Sequence, residues 1–194
     1  MQALIKNLET IVKGMMSPLE GTAHSYGHVE RVFKIATFLA LEEKADVRLV
    51  QVGTILHDVG RTLGQPHNET GAKLAKKILD EAGYPQEKGA KVYRIILHHP
   101  IDFKDKLETL EQKIVWDADK IDLLGAVGIA RAFHWGGKKP FETVVKYCFE
   151  EGLQIYSLLN TTTAKKMAGE RHRRTVAFLS ALEEELSVKD LGIS

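Results

Sequence analysis

The sequence predicts an all-α protein, on three observations. Apolar residues recur at three- and four-residue intervals in segments near 2–13, 27–43, 46–58, 67–82, 87–98, 108–116, 119–134, 141–158 and 164–186, the spacing that lines one face of a 3.6-residue helix. No segment alternates apolar and polar residues between hairpin turns, so a sheet has no candidate strands. Pro18, Pro66, Pro85, Pro100 and Pro140, with Gly21, Gly64, Gly83, Gly136 and Gly137, all fall between those segments, where they end helices and do not interrupt them.

Taken in order, the first segment carries the stripe Leu4, Leu8, Ile11 and Val12, and the second carries Val29, Val32, Ile35, Ala36 and Leu39. The third is apolar and stops abruptly at His57–Asp58, with Gly60 just beyond. The fourth opens on PHNETGAKLA, where Asn68 or His67 is a candidate cap. The fifth closes on His98–His99 before Pro100, where a protonated imidazole meets the helix dipole favourably. Asp117, Asp119 and Asp122 crowd the expected entry of the 119–134 segment, and capping accounts for one or two of them but not three. The last segment carries Val176, Phe178, Leu179, Leu182 and Leu186. Connections are short and nothing repeats, so one domain over residues 1–194 is expected.

Composition narrows the function classes. The 194 residues hold 27 Lys+Arg against 26 Asp+Glu, a net charge of +1, which removes the electrostatic case for a dedicated nucleic-acid binder. The single Cys148 forms neither an internal disulfide nor a thiolate zinc site, and it fits a reducing cytoplasm. Lys6, Glu9 and Lys13 break the N-terminal apolar pattern, which reads as no signal peptide, and no apolar run has membrane-spanning length. Phosphate-loop, serine-elbow and dinucleotide glycine motifs are missing from the chain. No feature of the sequence fixes an oligomeric state.

Six of the eight histidines, His24, His28, His57, His67, His98 and His99, lie in the first half. With one cysteine, a metal has imidazole and carboxylate to bind, and a set of two imidazoles and two carboxylates suits Mn²⁺, Mg²⁺, Fe²⁺, Co²⁺ or Ni²⁺ in six-coordinate geometry, with Zn²⁺ less favoured.

Three ordered strings, HVERV around His28, LHD at Leu56–Asp58 and DADKID at Asp117–Asp122, together resemble the signatures of the HD-domain phosphohydrolase superfamily. GAVGIARAF, the WGG at Trp135–Gly137 and AKKMAGERHRRTVAFLSALEEEL extend the likeness, from about residue 20 to 186, to small bacterial and archaeal HD hydrolases. The resemblance implies an all-α HD-type bundle in which His28, His57, Asp58 and Asp119 hold one divalent cation. The preference for Asp119 over Asp117 rests on that likeness alone.

The expected activity is metal-dependent hydrolysis of a small phosphorylated metabolite, most plausibly a nucleoside mono- or triphosphate. Asp58 and Lys120 are the expected catalytic residues. Lys120, Arg131 and Arg171 are expected to contact phosphate, with Arg61 a weaker candidate, and His67 with His98 or His99 to line the pocket around a single ion. One alternative is a two-metal cyclic-nucleotide or dinucleoside phosphodiesterase. Another is a non-catalytic nucleotide-binding helical module.

Overall fold

The computed structural model describes residues 2–192, and no strand occurs among them. The chain divides into two compact units, one ending at Asp119 and the other beginning at Lys120.

The first unit contains α1 (Gln2–Met15), α2 (Tyr26–Glu42), α3 (Val47–Leu56), α4 (His67–Glu81), α5 (Gln86–His98) and most of α6 (Leu110–Ile121). Helix α3 lies at its centre, packed by α1, α2 and α5, and α4 packs on α5. Its residues Val50, Val52, Ile55 and Leu56 are buried almost completely. Gly53 lets α5 approach, since a β-carbon there would lie 2.9 Å from Ile95 Cγ2. At the start of α3 the Asp46 carboxylate accepts the Arg48 and Leu49 amides at 3.1 and 3.0 Å, a standard N-cap. Asp46 also takes Lys88 Nζ from α5 at 2.9 Å, and its backbone N–H donates to Glu111 Oε1 of α6 at 3.2 Å. One residue therefore ties three helices together.

Helix α3 stops because the chain turns at His57–Asp58 into a 3-10 turn over Val59–Thr62. Gly60 in that turn rests directly on the first turns of α4: a β-carbon there would run into the His67 carbonyl and lie 2.5 Å from Gly71 N. Asn68 Nδ2 donates to Leu97 O at 2.8 Å, pinning the start of α4 to the end of α5. Asn68 is thus a tie between helices and not a cap. The α4 amide of His67 donates instead to Gln65 Oε1 at 3.2 Å.

The aspartate string is placed differently from expectation. Asp117 and Asp119 lie within α6 and Asp122 follows its end, so the string closes one helix and does not open the next. The stripe Ile114, Val115, Ala118 and Ile121 stays buried and in phase through the string, which carries the helix on. The break falls at Leu123–Leu124, and Gly125 takes a φ of +71°, a conformation cheap only for glycine.

The second unit contains α7 (Gly125–Trp135), α8 (Phe141–Tyr147), α9 (Ile155–Leu158) and α10 (Thr162–Leu186). The expected 141–158 helix is broken by a wide π turn over Cys148–Gly152. Val144, Cys148 and Leu179 form its small core, and Gly125 N donates to Thr175 Oγ1 at 2.8 Å, docking α7 on α10. Among the described residues no helix is long and apolar enough to cross a membrane.

The Gly60 contact yields a stability prediction. Gly60→Ala must move the His67 turn, at a cost of about 1–3 kcal/mol, which a thermal melt would read as a fall of roughly 2–12 °C.

Candidate metal centre

The first unit gathers five of its six imidazoles around one carboxylate, Asp58. His28 continues the buried α2 stripe of Val32 and Ile35, His57 ends α3, Asp58 follows it, and Asp119 comes from α6. His28 Nε2 lies 3.2 Å from Asp119 Oδ1 and 3.4 Å from His57 Nε2, and His57 Nε2 lies 4.0 Å from Asp119 Oδ1. Asp58 Oδ2 faces the same point, 3.7 Å from His28 Nε2 and 3.8 Å from His57 Nε2. Asp117 is fully buried, and among the described residues it is in neither of the two donor groups that could hold an ion.

The other oxygen of Asp58 faces a second group. Oδ1 lies 3.4 Å from His99 Nε2 and 3.8 Å from His67 Nε2, and those two nitrogens are 3.2 Å apart. Gly60 and Asn68 create this arrangement by setting the start of α4 against the turn and the end of α5.

Backbone acceptors orient the rings. His57 Nδ1 donates to Thr54 O at 2.7 Å and His99 Nδ1 to Ile96 O at 2.6 Å, while His67 Nδ1 donates to Gln65 Oε1 at 3.2 Å. A carbonyl oxygen only accepts, so each Nδ1 carries its proton and each Nε2 presents a lone pair inward. Burial keeps His57 and His67 neutral, pushing His57 down to about 4 and His67 to about 3. For Asp58 burial alone would raise the carboxyl, but His57 and Arg61 outweigh it and hold it well below the carboxylate range. Arg61, charged while His57 is neutral, is the partner that persists at neutral pH.

This donor set fits divalent cations. Inward lone pairs and carboxylate oxygens 3.2–4.0 Å apart repel one another unless positive charge lies among them. Donors around an octahedral ion with bonds of ~2.1 Å are spaced about 3.0 Å along an edge and 4.2 Å across, which brackets those distances. The groups His28–His57–Asp119 and Asp58–His67–His99 each meet the spacing a metal ion needs.

Other expected site residues lie elsewhere. His98, on the next side of α5, stacks on Phe103 and lines an outer cavity of about 630 Å³ whose wall includes none of the donors. Lys120 is buried in the last turn of α6. Within the second unit Arg131 Nη1 pairs with Asp122 Oδ2 at 2.9 Å, and Arg171 Nη1 donates to Ile121 O at 3.1 Å. The cation beside the donors is Arg61, whose Nε lies 2.7 Å from Asp58 Oδ2. In a 3-10 turn residues three apart eclipse, so the spacing Asp58 to Arg61 was the available signal. His24 also joins, with Nδ1 3.7 Å from Asp58 Oδ2. Gln65 and the Thr54 carbonyl left no motif to read.

Three helices converging on a His-Asp doublet define a class, and the comparisons agree with it. The chain belongs to the HD-domain family, whose model matches residues 25–124. It is 29% identical to the protein YpgQ of Bacillus subtilis over 93% of each chain. The structure of YpgQ in complex with ADP has a TM-score of 0.77 at 27% identity, covering 93% of this chain and 97% of that one. An HD-superfamily hydrolase from Bacillus thuringiensis gives 0.78 at 29% identity over 96% and 98%. A predicted HD-superfamily hydrolase from an uncultured Thermotogales bacterium gives 0.70 at 30% over 93% and 92%.

Asp58→Ala removes a carboxylate with one oxygen near each group. Calorimetric titration with Mn²⁺ is expected to lose binding by more than about 100-fold, with far-UV circular dichroism unchanged.

Proposed function

We propose that the protein is a divalent-cation-dependent phosphohydrolase that acts on a nucleotide. The observation that carries the reading is the four-donor convergence of His28, His57, Asp58 and Asp119, which leaves coordination positions for water and substrate. A divalent ion bound there supplies a water of lowered pKa and neutralises charge on a phosphoryl oxygen. The chain's own part is to keep His57 and His67 neutral, to aim the rings of His57, His67 and His99 inward through their Nδ1 hydrogen bonds, and to hold Asp58 ionised. Arg61, about a quarter exposed at the edge of the donors, is the guanidinium best situated for phosphate. Lys120 remains a candidate through its adjacency to Asp119. The ADP complex of the B. subtilis relative supports a nucleotide as substrate.

A second reading, hydrolysis of a phosphodiester with two cations, is favoured by one specific observation: Asp58 Oδ1 faces His67 and His99 while Oδ2 faces His28 and His57. Paired ions ~3.5–4 Å apart need such a bridging carboxylate.

The test is to assay Mn²⁺-loaded protein against nucleoside mono-, di- and triphosphates and cyclic and linear dinucleotides, identifying each product. Asp119→Ala is expected to lower turnover by at least about 100-fold. Turnover that survives that substitution or chelation overturns the reading. A stoichiometry of two Mn²⁺ per chain, falling to one in both His67→Ala and His99→Ala, selects the two-cation form.

A further inference from the structure

We propose that Arg61 is a built-in counter-ion which a divalent cation must displace from Asp58, so that loading the centre frees a guanidinium to hold the phosphate of the incoming ligand. The inference rests on the cation-binding reading above.

Three observations carry it. Arg61 Nε lies 2.7 Å from Asp58 Oδ2, the oxygen that faces His28 and His57, whereas Oδ1 faces His67 and His99. Arg61 therefore sits on the side of the carboxylate where the first donor group converges. Second, the contact is close but undirected: Arg61 Nε and both Asp58 oxygens lack a hydrogen bond of proper angle. A contact so poorly directed loses less when it opens than a well-aligned charge-assisted hydrogen bond would. Third, the two partners differ in freedom. Asp58 is 1% exposed and is held among five imidazoles, but the Arg61 side chain is 23% exposed and ends a long flexible stem.

Charge then sets the direction of the exchange. A cation bonded to Oδ2 at ~2.1 Å would lie at most about 4.8 Å from Arg61 Nε, the sum of that bond and the 2.7 Å contact. A divalent ion and a guanidinium cannot share one buried oxygen at that range without strong repulsion. The ion has three further donors there and the guanidinium has none, so the guanidinium leaves. Once released it is a bidentate donor beside the ion, matched to a phosphate group. Cation and phosphate should accordingly bind with positive coupling, and linkage makes that coupling reciprocal.

The experiment uses the full chain and Mg²⁺, Mn²⁺ and inorganic phosphate as probes. In nitrogen-15 spectra of the wild type, the Arg61 Nε–Hε resonance, assigned by its loss in Arg61→Lys, is expected to shift and exchange faster with water on adding Mg²⁺. Calorimetry should find Mn²⁺ bound about tenfold tighter by Arg61→Ala than by wild type, with Arg61→Lys between them. Mn²⁺ should tighten phosphate binding in wild type and do so less in Arg61→Ala. An Arg61 resonance unmoved by saturating Mg²⁺, or equal Mn²⁺ affinity in wild type and Arg61→Ala, overturns the exchange. Absence of any Mn²⁺ binding by wild type, matched by His28→Ala, would instead overturn the cation reading beneath it.

Discussion

A fully buried carboxylate with no directed hydrogen bond is the constraint on which the first unit depends. Leaving a charge there costs several kcal/mol unless opposite charge and polar donors surround it. The surroundings of Asp58 meet that demand from every side: His24 from the turn before α2, His28 from its first turn, His57 from the end of α3, Arg61 from the following turn, His67 from α4 and His99 from the end of α5. The packing details serve the same end. Gly60 lets α4 approach closely enough for His67 to arrive, and the Asn68 tie to Leu97 sets His99 beside it.

Much of this was legible in the residues. Helical periodicity located the helices because each buries one stripe, and the doublet at Leu56–Asp58 stood out because polar residues seldom end an apolar helix. What periodicity missed was phase. His99 follows Ile95 and Ile96 on the buried face of α5, whereas His98 follows Arg94 on the outer face. Reading α5 as a wheel separates the two histidines, but reading it as a string ending in a pair does not. The aspartate string failed for a related reason. Three acids looked like an N-terminal cluster, yet the apolar stripe of α6 runs through them, and buried stripes outweigh the capping preference.

Basic residues were the least legible part. Arg131 and Arg171 fall in family-like strings, but within the second unit each is engaged locally, with the Asp122 carboxylate and the Ile121 carbonyl. Those contacts tie down the chain around the turn that follows α6. Arg61 attracted less weight because its string, HDVGR, shows no periodic reason for Arg61 to face Asp58. The reason appears only when the turn is known to be 3-10, which brings positions three apart onto one edge.

Charge counting links these residues to the number of cations. The two donor groups contain two carboxylates, Asp58 and Asp119, for a total of −2, and an imidazole that binds a cation does so uncharged and adds nothing. One divalent ion balances that charge, at which point Arg61 becomes surplus and is better placed on an anion. A second divalent ion brings the site to +2 before Arg61 is counted, and desolvated excess charge of that size is unfavourable. A phosphate group carrying two negative charges restores the balance. On this count the second donor group would suit an ion that arrives with the phosphate, and the first an ion held in its absence. Asp58, with one oxygen facing each group, would then make the two occupancies depend on one another.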